Sequence, residues 1–176
     1  MTDAPPSSRP EPEPWLRGPL RGIDPYLMPA GHAFVQVRED LTRIVSGLSS
    51  EELRARPGGA ASIAFHVRHI AGATDRLLTY ARGEGLSDAQ REWLKAEGSE
   101  GAVEAVSLLA SAVASLDRAI EQLESTSRER LLDARAVGRA SLPSTVLGLL
   151  FHAAEHAQRH SGQIATTVKL LKASRA

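Results

Sequence analysis

The sequence predicts an all-α fold, an antiparallel four-helix bundle, from two observations. Four long segments carry apolar residues at steps of three and four, the spacing at which side chains share one face of a helix. Alternating runs of β-branched residues, which would indicate strands, are absent. Because each such helix has an apolar face to bury, four of them in a chain of 176 residues favour one bundle with a common core.

The first 29 residues differ in composition from the remainder of the chain. Residues 1–29 contain eight of the ten prolines, so we expect a Pro-rich, partly disordered extension there and the bundle domain over residues 30–176. Up to Pro14 the segment has too little apolar surface to offset the entropy that it loses on ordering. The apolar residues that can attach the later part to the core are Trp15, Leu16, Tyr26 and Leu27.

Capping and breaking residues set the expected helix boundaries. A capped short turn is expected after Ser49, and Gly83 and Gly85 end the second long helix. Pro143 is tolerated in a first helical turn. The connection over residues 126–141 is long enough to cover a site. The expected helices are residues 30–47, 62–82, 102–125 and 143–172, with a short extra helix at residues 87–97.

Composition excludes several classes of protein. Lys plus Arg and Asp plus Glu are both 21, and a formal net charge of zero argues against a nucleic-acid partner. The chain has no cysteine, which excludes a disulfide scaffold, a thiolate ligand and a cysteine nucleophile, so any thiol must come from a substrate. The first residues show no apolar region of the kind found in a signal peptide, and no apolar run approaches about 18 residues. We therefore expect a cytoplasmic protein without a membrane partner.

Histidine spacing carries the main functional signal. His152, His156 and His160 are three of the six histidines, and steps of four place them in one line on a helix, at the edge of its core-facing stripe. His66 and His69 lie on the second long helix. A single histidine in such a place is commonly a hydrogen-bonded structural residue. A line of three with a second pair favours a metal site, because stacked buried imidazoles need a cation or partners.

Two ligand sets are compatible with the residues alone. The first is His152-x-x-Glu155-His156, the pattern of inverted zinc proteases with Glu155 as general base. It requires a later carboxylate ligand, and no Asp or Glu follows Glu155. The second set combines His156 and His160 with a ligand from the second helix. Helical periodicity does not choose between His66 and His69 for that third position.

Two segments resemble the signature regions of the DinB/YfiT-like family: residues 62–71 (SIAFHVRHIA) and 155–164 (EHAQRHSGQI). The spacing between them, residues 48–53 (LSSEEL) and 56–58 (RPG), and the four-helix plan also fit, over about residues 30–172. In that family the ligand on the second helix directly precedes an Ile/Leu-Ala step, and the last ligand is closely followed by Gln-Ile. Many members have a further histidine just before the last ligand, where this chain has Arg159. The resemblance implies a metal site of His69, His156 and His160.

The resemblance also implies an activity. It implies transfer of a small thiol cofactor to an electrophilic substrate, or metal-dependent hydrolysis, with zinc or nickel as the metal. Three imidazoles leave a coordination position for water or substrate, as in catalytic metal sites. Candidate helpers are Glu155, as a base or as an acceptor for a ligand N–H, and Gln163, as a polar wall; His66 and His152 are candidate proton carriers.

Other classes of function stay open at this point. A metal that only staples the bundle, or a partner-binding bundle without metal, would explain the same histidines. DNA binding is suggested only by the family's name, and the neutral charge opposes it. The family implies a homodimer, with which exposed apolar residues such as Trp93 and Leu94 agree. The substrate itself, a small molecule, does not follow from the sequence.

Overall fold

The structure is a computed structural model that describes residues 11–99 and 104–174. The described chain is mostly helical, which confirms the predicted class. Two short helices, α2 (Ser50–Arg54) and α4 (Asp88–Ala96), lie in connections. The four long helices are α1 (Met28–Val45), α3 (Ile63–Arg82), α5 (Ala105–Ser125) and α6 (Val146–Ala173). Single turns of 3₁₀ helix occur at Pro14–Leu16, Pro57–Gly59 and Arg128–Arg130.

The two histidine-bearing helices start at capped residues. The Ser62 side chain accepts a hydrogen bond from the backbone N–H of Phe65 at the start of α3, and that of Thr145 accepts one from Gly148 at the start of α6. A side-chain cap satisfies one of the free N–H groups of the first turn and so defines where the helix begins. Gly83, at φ +85°, ends α3 in the left-handed conformation.

The relative directions of the long helices follow from paired contacts. Ser115 and Gln122 of α5 donate side-chain hydrogen bonds to the carbonyls of Ala71 and Leu78 of α3. Both partners advance by seven residues, so α3 and α5 are parallel neighbours. In contrast, α3 and α6 are antiparallel, because the partner of the earlier histidine on α3 comes later on α6.

Helix α1 is antiparallel to α5. Arg38 pairs with Asp117 at 2.7 Å, and Gly31, earlier on α1, lies beside Leu123, later on α5. Because α6 is antiparallel to α3 and therefore to α5, α1 and α6 run in the same direction, and they pack against each other. The antiparallel prediction is therefore wrong for the neighbours α3–α5 and α1–α6. The reason is the connection over residues 83–104, which contains α4 and is long enough to return the chain to the other end of α3.

All four long helices contribute to one core. The largest fully buried side chains come from every long helix and from α2. They include Phe34 and Leu41 of α1, Leu53 of α2, Ile63 and Ile70 of α3, Leu116 and Leu123 of α5, and Leu150 and Ile164 of α6. Among the described helices, none combines the length and apolar character needed to cross a membrane.

A β-hairpin corrects two expectations about the connection before α6. Strands β1 (Ala134–Val137) and β2 (Leu142–Thr145) pair antiparallel, so the prediction that the chain has no strands is wrong. Pro143 lies in β2 and not in the first turn of the helix. Strands of four residues are too short to show a period of two. Arg135 Nε donates to Ala81 O at 2.8 Å, which places the hairpin at the end of α3. His69 lies twelve residues earlier, about 18 Å along the helix, so this connection does not cover the histidines.

The segment before α1 packs less apolar surface than expected. Leu27 is fully buried and Ile23 nearly so, whereas Trp15, Leu16 and Tyr26 are exposed. Of the four residues expected to attach this segment to the core, only Leu27 is buried. Arg17 instead holds Glu39 of α1 with two bonds of 2.6 and 2.8 Å. The expectation of disorder falls in part on residues 1–10, which lie outside the described residues.

Candidate metal centre

Three histidines from two helices converge at the interface between α3 and α6. One side-chain nitrogen from each of His69, His156 and His160 lies within 4.8 Å of the other two. The closest pair is His69 Nε2 and His156 Nε2, 2.9 Å apart, and the ring centroids of His156 and His160 are 4.6 Å apart. The four-residue step on α6 and the antiparallel packing of α3 produce this arrangement. The cluster is partly buried and can hold a metal ion.

The first of these ligand candidates is held by a carboxylate that the sequence analysis missed. His69 Nδ1 lies 2.8 Å from Oε2 of Glu97, and Glu97 Oε1 accepts a hydrogen bond of 2.6 Å from Arg76. Glu97 follows α4 and is 5% exposed. Its spacing along the chain gives no signal, because it reaches His69 only through the packing of the α4 segment on α3.

His160 has a histidine partner. Its Nδ1 lies 2.9 Å from Nδ1 of His66, which is 6% exposed on the core side of α3. One of these nitrogens must donate and the other accept, since a neutral imidazole has one N–H. His66 therefore lies next to the cluster as the hydrogen-bond partner of His160, and it is not one of the three converging residues.

His156 shows a polar atom without a partner. Its Nδ1 is buried and makes no hydrogen bond within the described part of the chain. If His69 Nδ1 donates to Glu97, then His69 Nε2 is an acceptor and His156 Nε2 must carry the hydrogen between them. A cation placed among the nitrogens would replace that hydrogen bond by two coordinate bonds. The close approach of Nε2 atoms therefore fits a metal.

Burial and repulsion between neighbouring rings disfavour the charged forms of His160, His156 and His66. Burial, and then the neighbouring histidines His156 and His69, lower the pKa of His160 from 6.5 to about 4. Burial and His69 also lower the pKa of His156 and that of His66. For Glu97, burial opposes ionisation, but the hydrogen bonds from His69 and Arg76 outweigh it and its pKa lies below the ordinary value. Neutral imidazoles beside a carboxylate are the forms that bind divalent cations.

The remaining candidates of the α6 pattern lie at the surface. The side chain of His152 is 50% exposed, and its Nδ1 is 3.3 Å from Glu155 Oε2. Glu155 also pairs with Arg159, whose hydrogen bonds hold the pKa of the Glu155 carboxyl below its usual value. Gln163 is exposed. Glu155 thus pairs with His152 and Arg159, and the carboxylate that contacts a ligand candidate is Glu97, beside His69.

An aromatic side chain borders the site. The ring of Phe65 stacks on His69 with centroids 5.4 Å apart and an interplanar angle of 10°. It also meets the edge of the His66 ring. Phe65 lies one helical turn before His69, so the i, i+4 step on α3 puts an apolar ring against one face of the imidazole. This ring restricts the orientation of His69 together with Glu97.

The fold and the site define a mostly helical protein with a histidine cluster that can hold a metal. The chain belongs to the DinB superfamily, whose family model matches residues 33–164. No curated protein matches the chain at a significant level.

A solved structure has the same fold. It is the crystal structure of a conserved protein from Enterococcus faecalis, with a TM-score of 0.66 and 18% sequence identity. The match covers 82% of this chain and 95% of the other. At this identity the likeness concerns the fold alone.

Proposed function

We propose that this protein is a metal-dependent enzyme that transfers a small thiol to an electrophilic substrate. In this proposal His69, His156 and His160 bind one divalent ion, zinc or nickel, between α3 and α6 of a DinB-type four-helix bundle. The observation that carries the proposal is the convergence of three imidazole nitrogens within 4.8 Å. Three protein ligands leave a position for an exogenous group, in contrast to a four-ligand structural site.

The chemistry of the donor set supports a thiol as the exogenous group. A divalent ion bound there supplies Lewis acidity, which stabilises a thiolate at neutral pH. The chain has no cysteine of its own to occupy the open position or to react in place of the thiol. His69 is held between Glu97 and Phe65, so at least this ligand is oriented before any ion binds.

Two residues are proposed as helpers. The hydrogen bonds from Arg159 lower the pKa of Glu155, and we propose that this carboxylate takes the proton of an entering thiol. Gln163 is proposed as a polar wall that contacts the substrate. Both roles stay predictions, as do a homodimer and a cytoplasmic location; Trp93 and Leu94 are 39% and 48% exposed and are available to a second subunit.

The experiment begins with the metal. Untagged wild-type protein and the His156→Ala variant are purified without chelator and analysed for metal content. About one equivalent of zinc or nickel in the wild type, lost in the variant, is expected for one site with three ligands. No bound metal, and no uptake of added zinc or nickel, would contradict the proposal.

Cobalt replacement then identifies the nucleophile. Addition of a small thiol to the Co²⁺-loaded protein is expected to give a sulfur-to-cobalt charge-transfer absorption, because the thiolate enters the open position. A loaded protein without this absorption that cleaves ester or amide substrates would favour hydrolysis by a metal-bound hydroxide. A loaded protein with neither property, but with a large gain in thermal stability, would indicate a stapling metal.

A further inference from the structure

We infer that Glu97 is a positioning residue of the metal centre: its carboxylate holds His69 in the tautomer whose Nε2 is free to bind a cation. The inference rests on the proposed metal site and extends it to the connection between α4 and α5. The described residues of that connection supply no ligand, but Glu97 determines which nitrogen of His69 faces the other histidines.

The hydrogen-bond chemistry of the pair determines the tautomer. An ionised carboxylate only accepts hydrogen bonds, so His69 Nδ1, at 2.8 Å from Glu97 Oε2, must carry the hydrogen. The lone pair of His69 is then on Nε2, the atom that lies 2.9 Å from His156 Nε2. Without the carboxylate, His69 is free to place its hydrogen on Nε2 and so to block the ligand position.

Glu97 is itself fixed by a second residue of α3. Its Oε1 accepts a hydrogen bond of 2.6 Å from Arg76, a side chain that is 11% exposed. Arg76 lies seven residues after His69, two turns along the same face. The carboxylate therefore bridges two positions of one helix in a buried environment, where a fully paired group has little freedom to move.

A glycine on α3 allows the carboxylate to reach this place. Gly72 lies on the same face between His69 and Arg76. A Cβ added at Gly72 would lie 2.5 Å from Cδ1 and Nε1 of Trp93 and would collide with Oε1 of Glu97. The Trp93 indole N–H also donates to Arg68 O at 3.3 Å. The end of α4 therefore packs directly on the backbone of α3, and this close packing delivers Glu97 to His69.

The competing explanation is that Glu97 only neutralises Arg76. Loss of a partner in a buried pair destabilises a protein, so stability alone does not separate the two roles. The tautomer of His69 separates the two roles, because a carboxylate that only neutralised Arg76 would not determine which nitrogen of His69 carries the hydrogen. The ¹⁵N chemical shifts of the His69 side chain report the tautomer in metal-free protein, without reference to activity.

The test uses Glu97→Gln, which keeps the shape of the side chain. Its amide oxygen is expected to accept from Arg76, so its NH₂ group faces His69 and requires Nδ1 to be the acceptor. We expect His69 to change from the Nδ1–H to the Nε2–H form in metal-free protein. We also expect zinc affinity, measured by competition with a chromophoric chelator, to fall by about 10- to 100-fold.

Two further variants complete the test. The double variant Arg76→Met with Glu97→Leu removes the carboxylate without leaving a buried charge unpaired, and it is expected to show the same loss of affinity. Asp117→Asn removes the ion pair with Arg38 between α1 and α5, helices that carry none of the clustered histidines, and is expected to leave zinc affinity and tautomer unchanged.

The outcomes separate this inference from the proposed function. An unchanged His69 tautomer with wild-type zinc affinity in both Glu97 variants would overturn the positioning role while the metal site stands. A wild type that binds neither zinc nor nickel would overturn the proposed function. The ¹⁵N shifts would still decide whether Glu97 sets the tautomer, because they are measured without metal.

Discussion

His66 Nδ1 and His160 Nδ1 lie 2.9 Å apart across the interface between α3 and α6. This bond engages Nδ1 of His160, so Nε2 is the nitrogen of His160 that has no hydrogen bond to His66. Two of the three ligand candidates therefore have a hydrogen-bond partner outside the cluster: His160 bonds to His66, and His69 bonds to Glu97.

Replacement of His66 tests this support. His66→Leu is expected to lower zinc affinity by about tenfold, because His160 loses the partner that orients its ring. Chelator competition measures the affinity. His32→Leu is the control, since His32 bonds only the carbonyl of Gly18 among the described contacts. Equal zinc affinity in wild type and His66→Leu would contradict the supporting role.

Exchange of single α6 histidines decides between the two ligand sets. His160→Ala is expected to lose the bound metal, because a site with two imidazoles has too few ligands. His152→Ala is expected to keep it, since the His152 side chain is 50% exposed and pairs with Glu155. Metal content after dialysis measures both. Loss in His152→Ala and retention in His160→Ala would instead favour the His152-x-x-Glu155-His156 set.

The metal-free protein is expected to lose stability as the pH falls from about 6.5 to about 4. Burial and the neighbouring histidines lower the pKa of His160 to about 4 from 6.5, so the unfolded chain takes up a proton in this range before the folded protein does. Protons then favour unfolding, and the contribution of His160 is fully present only above about pH 6.5. The lowered pKa values of His66 and His156 act in the same direction.

Urea unfolding of metal-free protein at a series of pH values measures this effect. The midpoint is expected to fall across the range in the wild type and to change less in His160→Gln, which has no titrating group there. A wild-type midpoint that is constant between about pH 6.5 and pH 4 would show that His160 titrates normally.

Gly72→Ala is expected to destabilise the protein by about 1–3 kcal/mol, although alanine is the better helix former, because the added carbon overlaps Trp93 and Glu97. Gly162→Ala is the matched control. Gly162 also lies within a helix, but a Cβ there would meet nothing within 4 Å. A gain of about 0.5–1 kcal/mol is expected for the control. Urea unfolding midpoints measure both, and a Gly72→Ala protein as stable as the wild type would contradict the close packing.

Much of the fold is readable from the sequence because helices depend on local interactions. The apolar period and the glycine at Gly83 place α3 and α6 within a few residues of their observed positions. The hairpin is not readable in this way. Its four-residue strands contain no run of β-branched residues, and they are held by pairing with each other and by packing on the end of α3.

The candidate site also has one part that is readable from the sequence and one part that depends on tertiary packing. The histidine line on α6 is a consequence of helix geometry, and family resemblance points to His69. The residues alone do not separate His69 from His66, because both lie toward α6. In the structure His69 faces the two α6 histidines at the cluster, and His66 lies behind His160.

The sequence by itself determined the helices, the histidine line and the absence of any thiol ligand, since these depend on neighbouring residues and on composition. Only the tertiary structure decided that α3 and α5 are parallel and that Glu97 meets His69. Both depend on how residues 83–99, which follow α3 and include α4, return along that helix. That path is set by contacts between residues far apart in the chain, such as Gly72 with Trp93, for which no local pattern exists.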